Sequence, residues 1–421
     1  MELQYGKGSV HIDFPEKNVR DVLQLKHTDC RPLHELLTES VTHPCGASRL
    51  SKLLRSNKPT DVVILVSDRT RSIAHYSEIL TFLVGEIVDA GVDEKNIEFV
   101  VALGTHRAHT HEENSALYGA LVSDFRFSNH DCHQHCVSIG TTSTGLDVQV
   151  NKRVRDADFV IATGKIDFHY MAGFSGGRKA VLPGIASYAT IRNNHCKLRR
   201  AGVAFGALQK NIIAEEMAEA ARLFGLGYVL NVVETSDNRT AHVYCGAPEC
   251  AFAEGVAYFT TQRSVAVTEK VDCVIVSAGG YPHDKTLYAS HKSLNSVVRA
   301  VDKGGAVVLV AQCCEGVGNE AFMRNMRENS CDTLLTCNEN TIEIGGHRAF
   351  VTAQLLTDYK VYVLSDLDPD ILEQMHFIPI RSVDECIKHL QREHGEHFRT
   401  YVVPEGRSIL PVINGKQSTG T

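Results

Sequence analysis

The chain contains no tryptophan. It also lacks an apolar run long enough to cross a bilayer, because stretches such as Val62-Val63-Ile64-Leu65-Val66 fall far short of the roughly 20 residues that a spanning helix needs. The opening Met-Glu-Leu-Gln-Tyr-Gly offers neither a basic n-region nor an apolar h-region, so a cytoplasmic location is expected. There is no surplus of positive charge for nucleic acid or an anionic membrane: 43 Lys and Arg oppose 50 Asp and Glu, a net charge of −7. Neither is an expected partner. With 43% hydrophobic and 22% charged residues, disorder, collagen and coiled coil are excluded as the main architecture. The 13 cysteines are scattered from Cys30 to Cys386, and without an export signal they read as reduced thiols rather than a disulfide framework.

A length of 421 residues exceeds what one hydrophobic core usually serves and suggests two domains. Short β-branched runs at 62–66, 97–103, 159–163, 273–277, 306–310 and 361–364 read as buried strands, continuous in apolar character as parallel sheets require. Amphipathic stretches such as 77–90 and 211–224 read as crossover helices between them. The expected fold class is α/β: two domains with mostly parallel sheets and a cleft between them. A mixed segment near 239–270 precedes a fresh strand-then-glycine pattern at Cys273-Val-Ile-Val-Ser-Ala-Gly-Gly280. The boundary is therefore set near 270, giving a 1–270 domain and a 271–421 domain.

What the chain has in excess is histidine, 21 in all, the side chain suited to proton transfer near neutral pH and to borderline metals. Ligands in open α/β sheets bind at the carboxyl ends of strands, and four strand ends carry polar clusters. Asp68-Arg69-Thr70-Arg71 offers backbone N–H groups and guanidinium groups for a phosphate or carboxylate, or simply an N-cap with solvated charges. Gly104-Thr105-His106-Arg107 puts His106 in the first turn after a strand, where a general acid or base belongs. The densest signal runs from Lys165 through His169, Gly176-Gly177-Arg178-Lys179 and Pro183-Gly184 to His195. Its glycine pair beside two cations suggests close backbone approach to an anionic ligand, although the P-loop spacing fails. In the second domain, Asp284 is a plausible N-cap for a helix on which Tyr288 and Lys292, spaced i, i+4, share one face.

Histidine-rich patches also invite a zinc reading. His106, His109 and His111 fit no helical zinc signature, and Asn129-His-Asp-Cys-His-Gln-His-Cys136 lacks a second half-site and reads as a solvated surface loop.

Together, the run from Lys165 to His195, Gly104-Thr-His-Arg107, Asp68-Arg-Thr-Arg71 and Gly279-Gly-Tyr-Pro with Leu287-Tyr288 and Lys292 resemble the lactate racemase family, in the same order over most of the chain. The resemblance implies a nickel-pincer nucleotide: a Ni(II)-pyridinium-3,5-bisthiocarboxylic acid mononucleotide, joined to a lysine as a thioamide and ligated by one histidine. By position Lys179 is similar to the covalent lysine and His195 to the nickel ligand, so both belong to the metal site. Asp68, Arg69, Thr70 and Arg71 resemble part of the nucleotide loop, with Tyr288 against the pyridinium. His106 and His169 resemble the catalytic pair, one general base per enantiomer, serving hydride transfer through a 2-keto acid. Lys292 would hold the substrate carboxylate. Proteins that build the cofactor are implied partners, and an oligomer is compatible with the sequence.

Two departures from the lactate-specific pattern bear on the substrate. Ala289 stands where a glutamine follows the tyrosine, and the missing tryptophan removes a bulky wall from a region that here holds His347 and Arg348. An acid larger than lactate is expected, such as malate, 2-hydroxyglutarate or a sugar acid, met by His347 or Arg348. Two alternatives are a zinc-dependent hydrolase using His106, His109, His111 and Asp131, and a non-catalytic binder of the pincer nucleotide.

Overall fold

Val62–Val66 and Ile97–Val101 are buried at every position, as strands of a parallel sheet covered on both faces must be. The structure, a computed structural model, describes residues 1–26, 28–337 and 346–413. Among these, the two strands lie inside a six-stranded sheet with the order Thr240–Gly246, Tyr228–Glu234, Phe159–Ile166, Val62–Val66, Ile97–Val101, Arg126–Asn129. The Thr240–Gly246 edge is antiparallel and the other pairings are parallel. Side chains alternate between faces along a strand, and Val62, Ile64 and Val66 join Ile79, Leu80 and Leu83 of helix Tyr76–Val88 in one core.

A second sheet, parallel throughout, has the order Ile378–Ile380, Lys360–Leu364, Val301–Val310, Val271–Ser277, Thr400–Val403, Val19–Val22. Val274 and Val276 face one core, with Leu294 and Val297 of helix Leu287–Val297. Cys273 and Ile275 face the other, with Leu390 of helix Val383–His394. The chain is thus α/β with mostly parallel sheets, and each expected strand is present. No helix of the described residues is long and apolar enough to cross a membrane.

Contacts divide the chain into His27–Thr261 and a unit combining Met1–Lys26 with the residues from Gln262 onward. This differs from the expected 1–270 and 271–421 at both ends. The later division falls at the C-terminal end of helix Pro248–Arg263. The first 26 residues go with the C-terminal unit because Val19–Val22 pairs with Thr400–Val403 and Asn18 Nδ2 donates to Phe398 O at 2.7 Å. That edge strand, Val-Arg-Asp-Val, has no apolar run to announce it. A second correction concerns Asp284. The cap of helix Leu287–Val297 is Thr286, whose hydroxyl accepts from Ala289 N at 3.1 Å. Asp284 is instead buried, accepting from Gly6 N at 2.6 Å and Gln312 N at 3.0 Å.

Candidate functional site

In the first sheet the chain passes from Val62–Val66 to Ile97–Val101 on one side, while Phe159–Ile166 lies on the other. Loops leaving such a reversal diverge and open a crevice at the strands' carboxyl ends. A cleft of about 470 Å³, open to solvent, occupies that place, and Asp68, Arg71, Gly104, Lys165, Lys179 and Gly184 are among its lining residues.

Asp68 is 1% exposed and caps the short helical turn Arg69–Arg71, its Oδ1 accepting from Thr70 N at 2.9 Å and Thr70 Oγ1 at 2.7 Å. Its other oxygen, Oδ2, accepts from His106 Nδ1. Burial pushes this carboxyl up. The hydrogen bond from His106, the Arg71 charge and the Thr70 hydroxyl outweigh it and hold the group well below the usual carboxylate range. A carboxylate can only accept, so Nδ1 carries the proton and the lone pair of neutral His106 is at Nε2. The exposed ring of His106 is thereby held as a base. Arg71 lines the cleft, whereas Arg69 is turned toward Glu113 at 3.5 Å.

The glycine pair has a packing role. At Gly176, φ is +152° and a Cβ would lie 2.7 Å from the Phe252 ring; at Gly177 it would lie 3.0 Å from Val229. A Cβ on Gly164, in the strand, would lie 3.0 Å from Gly177 N. The glycines let this loop press onto the sheet, and Gly176 also lines the cleft. Arg178 follows the loop into the interior, its guanidinium 4.0 Å from the Phe252 ring centre. Burial pushes it down to about 10. Lys179, also buried, lines the cleft, and no carboxylate among the described residues is within ion-pair distance of its Nζ. Burial first, then the charges of Arg71 and Arg178, pushes the amine well below the usual lysine range.

Lys165 Nζ binds Glu234 Oε2 at 2.9 Å and Ser72 O at 2.7 Å, while Glu234 Oε1 accepts from Ala74 N at 2.7 Å. This buried pair tethers the chain just after the Asp68–Arg71 turn. Lys165→Met removes the Lys165 ammonium from a carboxylate that is 6% exposed. Loss of about 3 kcal/mol of stability is expected, read as a lowered denaturant midpoint for this unit.

His169 and His195 are outside the cleft's lining. His169 sits in a two-residue strand paired with Gly173–Phe174, and its Nδ1 accepts from Met171 N at 3.3 Å and Ala172 N at 3.2 Å. Neutral His169 therefore carries its proton on Nε2, the opposite tautomer to His106. His195, buried at the end of helix Tyr188–His195, has Nδ1 3.0 Å from Asn194 Oδ1.

Tyr288, Ala289, Lys292, His347 and Arg348 belong to the other unit. Tyr288 and Lys292 are on helix Leu287–Val297, with Ala289 exposed in its first turn. Arg348 lies over the Tyr288 ring at 3.9 Å and donates from Nη1 to Tyr288 O at 2.6 Å. His347 is buried beside it at the start of helix His347–Asp358.

The histidine-rich patches serve structure. His109 is buried with both nitrogens engaged: Nε2 accepts from Arg69 N at 3.1 Å and Nδ1 donates to Asn114 Oδ1 at 2.9 Å. His130 is also buried, bonding Ala186 O at 3.0 Å and Asn151 Nδ2 at 3.2 Å, so the expected solvated loop is solvated only in part. No group of three or more His, Cys, Asp or Glu among the described residues is placed to hold a metal ion. Sequence reasoning also missed Glu216, a buried carboxylate near Asn194. Its signal was available: a glutamate on the apolar stripe of helix Ile212–Phe224, beside Ile213, Met217 and Ala220.

Residues 5–205 match the family model described as the lactate racemase N-terminal domain, and residues 266–411 match the lactate racemase C-terminal domain. The chain is 31% identical to the lactate racemase of Lactiplantibacillus plantarum, over 97% of this chain and 99% of that one. It is 29% identical to that of Thermoanaerobacterium thermosaccharolyticum, over 97% and 98%. The solved lactate racemase apoprotein from the latter organism superimposes with a TM-score of 0.90, at 29% identity, covering 98% of this chain and 99% of that one. A Thermotoga maritima protein shares the fold at a TM-score of 0.65 and 17% identity, covering 92% and 100%.

Proposed function

Because the chain belongs to the lactate racemase family and is an isomerase of that type, we propose that it is a nickel-pincer nucleotide-dependent racemase or epimerase of a 2-hydroxy acid larger than lactate. The observation that carries this reading is Lys179: a buried amine in a switch-point cleft, without a carboxylate partner among the described residues. Burying a lysine that way is costly unless its amine is neutral or consumed in a bond. Thioamide formation would do the latter. The donor set also fits: Arg71, in the cleft lining, offers a guanidinium to a phosphate, and His195 offers imidazole, a suitable donor to Ni(II).

When bound, the pincer nucleotide supplies a hydride acceptor, which avoids removing a weakly acidic C–H beside a carboxylate. His106 takes the hydroxyl proton of one enantiomer at Nε2, and Asp68 stabilises the imidazolium through Nδ1–H. His169 serves the other enantiomer. In this structure the lone pair of neutral His169 is at Nδ1 and accepts from Met171 N and Ala172 N, so His169 acts as a base once its ring has turned to present Nδ1 to the substrate. Turnover in either direction needs one ring to accept and the other to donate. By the resemblance, Lys292 is the residue for the substrate carboxylate, Tyr288 the one for the pyridinium, and Ala289 the position that leaves room for a longer acid. Arg348, whose Nη1 donates to Tyr288 O, and His347 meet the substrate's second polar group. The zinc reading is disfavoured because His109 has both nitrogens engaged.

Nickel-loaded protein offered lactate, malate, 2-hydroxyglutarate and a sugar acid is expected to racemise or epimerise one of the larger acids with a higher kcat/KM than lactate, followed by chiral chromatography. Lactate as the fastest substrate would overturn the larger-acid reading.

A further inference from the structure

Glu216 is fully buried on helix Ile212–Phe224, where its neighbours on the same stripe are apolar. A buried carboxylate must be paired and hydrogen-bonded to be tolerated. Its Oε1 accepts from Lys197 Nζ and Thr144 Oγ1, and its Oε2 accepts from Asn194 Nδ2 at 2.8 Å. Asn194 is itself 0% exposed, and its Nδ2 also faces Ile213 O at 3.3 Å.

We propose that Glu216 fixes the ring tautomer of His195 through Asn194, and so decides which imidazole nitrogen carries the lone pair. Shape alone does not distinguish the two ends of an asparagine amide; its partners do. Both groups facing Nδ2, a carboxylate and a backbone carbonyl, can only accept. The NH2 end must therefore turn toward them, and Oδ1 must turn toward His195 Nδ1, 3.0 Å away. An amide oxygen cannot donate, so Nδ1 holds the proton and Nε2 the lone pair. Lys197 and Thr144 anchor one end of this chain and His195 receives its effect at the other. Metal-bound histidines commonly have their second nitrogen held in this way, which orients the ring and strengthens it as a ligand. Glu216 is thus a positioning residue that acts on the metal site without touching it, a role that rests on the reading of His195 as the nickel ligand.

E216Q keeps the size of the side chain and removes the charge. Lys197 then holds the amide oxygen, and the new NH2 faces the NH2 of Asn194. Two donors cannot face each other, so Asn194 turns over, presents its NH2 to Nδ1, and the proton moves to Nε2. The exchange variant N194D/E216Q restores the order: the new carboxylate accepts from both the glutamine amide and His195 Nδ1–H.

Apo-protein labelled with ¹⁵N-histidine reads the tautomer directly, with His195 assigned by its loss in H195Q. The parent is expected to show a protonated Nδ1, E216Q a protonated Nε2, and the exchange variant the parent pattern. In N194L, which keeps the Glu216–Lys197 pair, the single tautomer is expected to be lost, a test that does not depend on E216Q folding. In cofactor-loaded protein challenged with a chelator, E216Q is expected to lose nickel about 10-fold faster or more, and the exchange variant to recover most of that difference. A tautomer unchanged in E216Q and N194L, or not restored by the exchange, overturns the relay. A moved tautomer with unaltered nickel retention overturns its role toward the metal. Nickel held as firmly by H195Q as by the parent overturns instead the reading of His195 as a ligand, and the tautomer result is independent of it.

Discussion

An Asp68→Asn variant is expected to lose about 100- to 10,000-fold in kcat, with a much smaller change in KM. Asp68 is 1% exposed and its Oδ2 accepts from His106 Nδ1. An asparagine there can turn its NH2 toward Nδ1, which moves the proton of neutral His106 to Nε2 and removes the base from the side that is exposed. It also removes the negative charge that stabilises the imidazolium once the substrate proton has arrived. The cap is expected to survive, since the amide oxygen can still accept from Thr70 N and Oγ1. Folding and nickel content should therefore match the parent, which separates a catalytic loss from a structural one. A kcat within about 3-fold of the parent would show that His106 does not need this orientation, against the general acid–base magnitude assumed.

Replacing His106 or His169 by glutamine is expected to lower racemisation by a comparable factor of about 100 to 10,000. The informative result is what each variant retains. With one base gone, the enantiomer whose hydroxyl faces the remaining histidine is still oxidised in a single turnover, and the 2-keto acid can be trapped with a hydrazine. H106Q and H169Q should therefore release keto acid from opposite enantiomers. Their different settings make them separable in the first place: one ring is held by a carboxylate, the other by two backbone N–H groups. Keto acid from the same enantiomer in both variants would contradict the assignment of one base to each hand.

Much of the architecture was legible because its signal is local. The runs at Val62–Val66 and Val271–Ser277 are nearly continuous in apolar residues, and a strand buried on both faces has to be. The site was legible to the extent that strand ends carry ligands, which singled out Asp68, His106 and the segment from Lys165 to Lys179 before their geometry was known. What could not be read was partnership across the chain. Val19–Val22 joins a sheet by pairing with residues nearly 400 positions away, through backbone groups that every residue possesses. The packing role of the Gly176-Gly177 pair was not legible, because the atoms that exclude a side chain there belong to Phe252 and Val229, far along the sequence. Asp68 read as part of a phosphate loop, and its bond to His106 spans two strand ends. His130, taken for part of a solvated loop, is buried because Ala186 O and Asn151 are there to receive it. Binding partners brought together by folding, rather than residue type, decided each of these.

The central claim is that Lys179 is consumed by a covalent nickel-pincer nucleotide. Its most direct test is the intact mass of protein produced in a host that makes the cofactor, followed by peptide mapping and metal analysis. The predicted result is an adduct located on Lys179, present together with nickel in amounts equal to the chain, and absent from Lys179→Ala. Protein from such a host with Lys179 unmodified would contradict it.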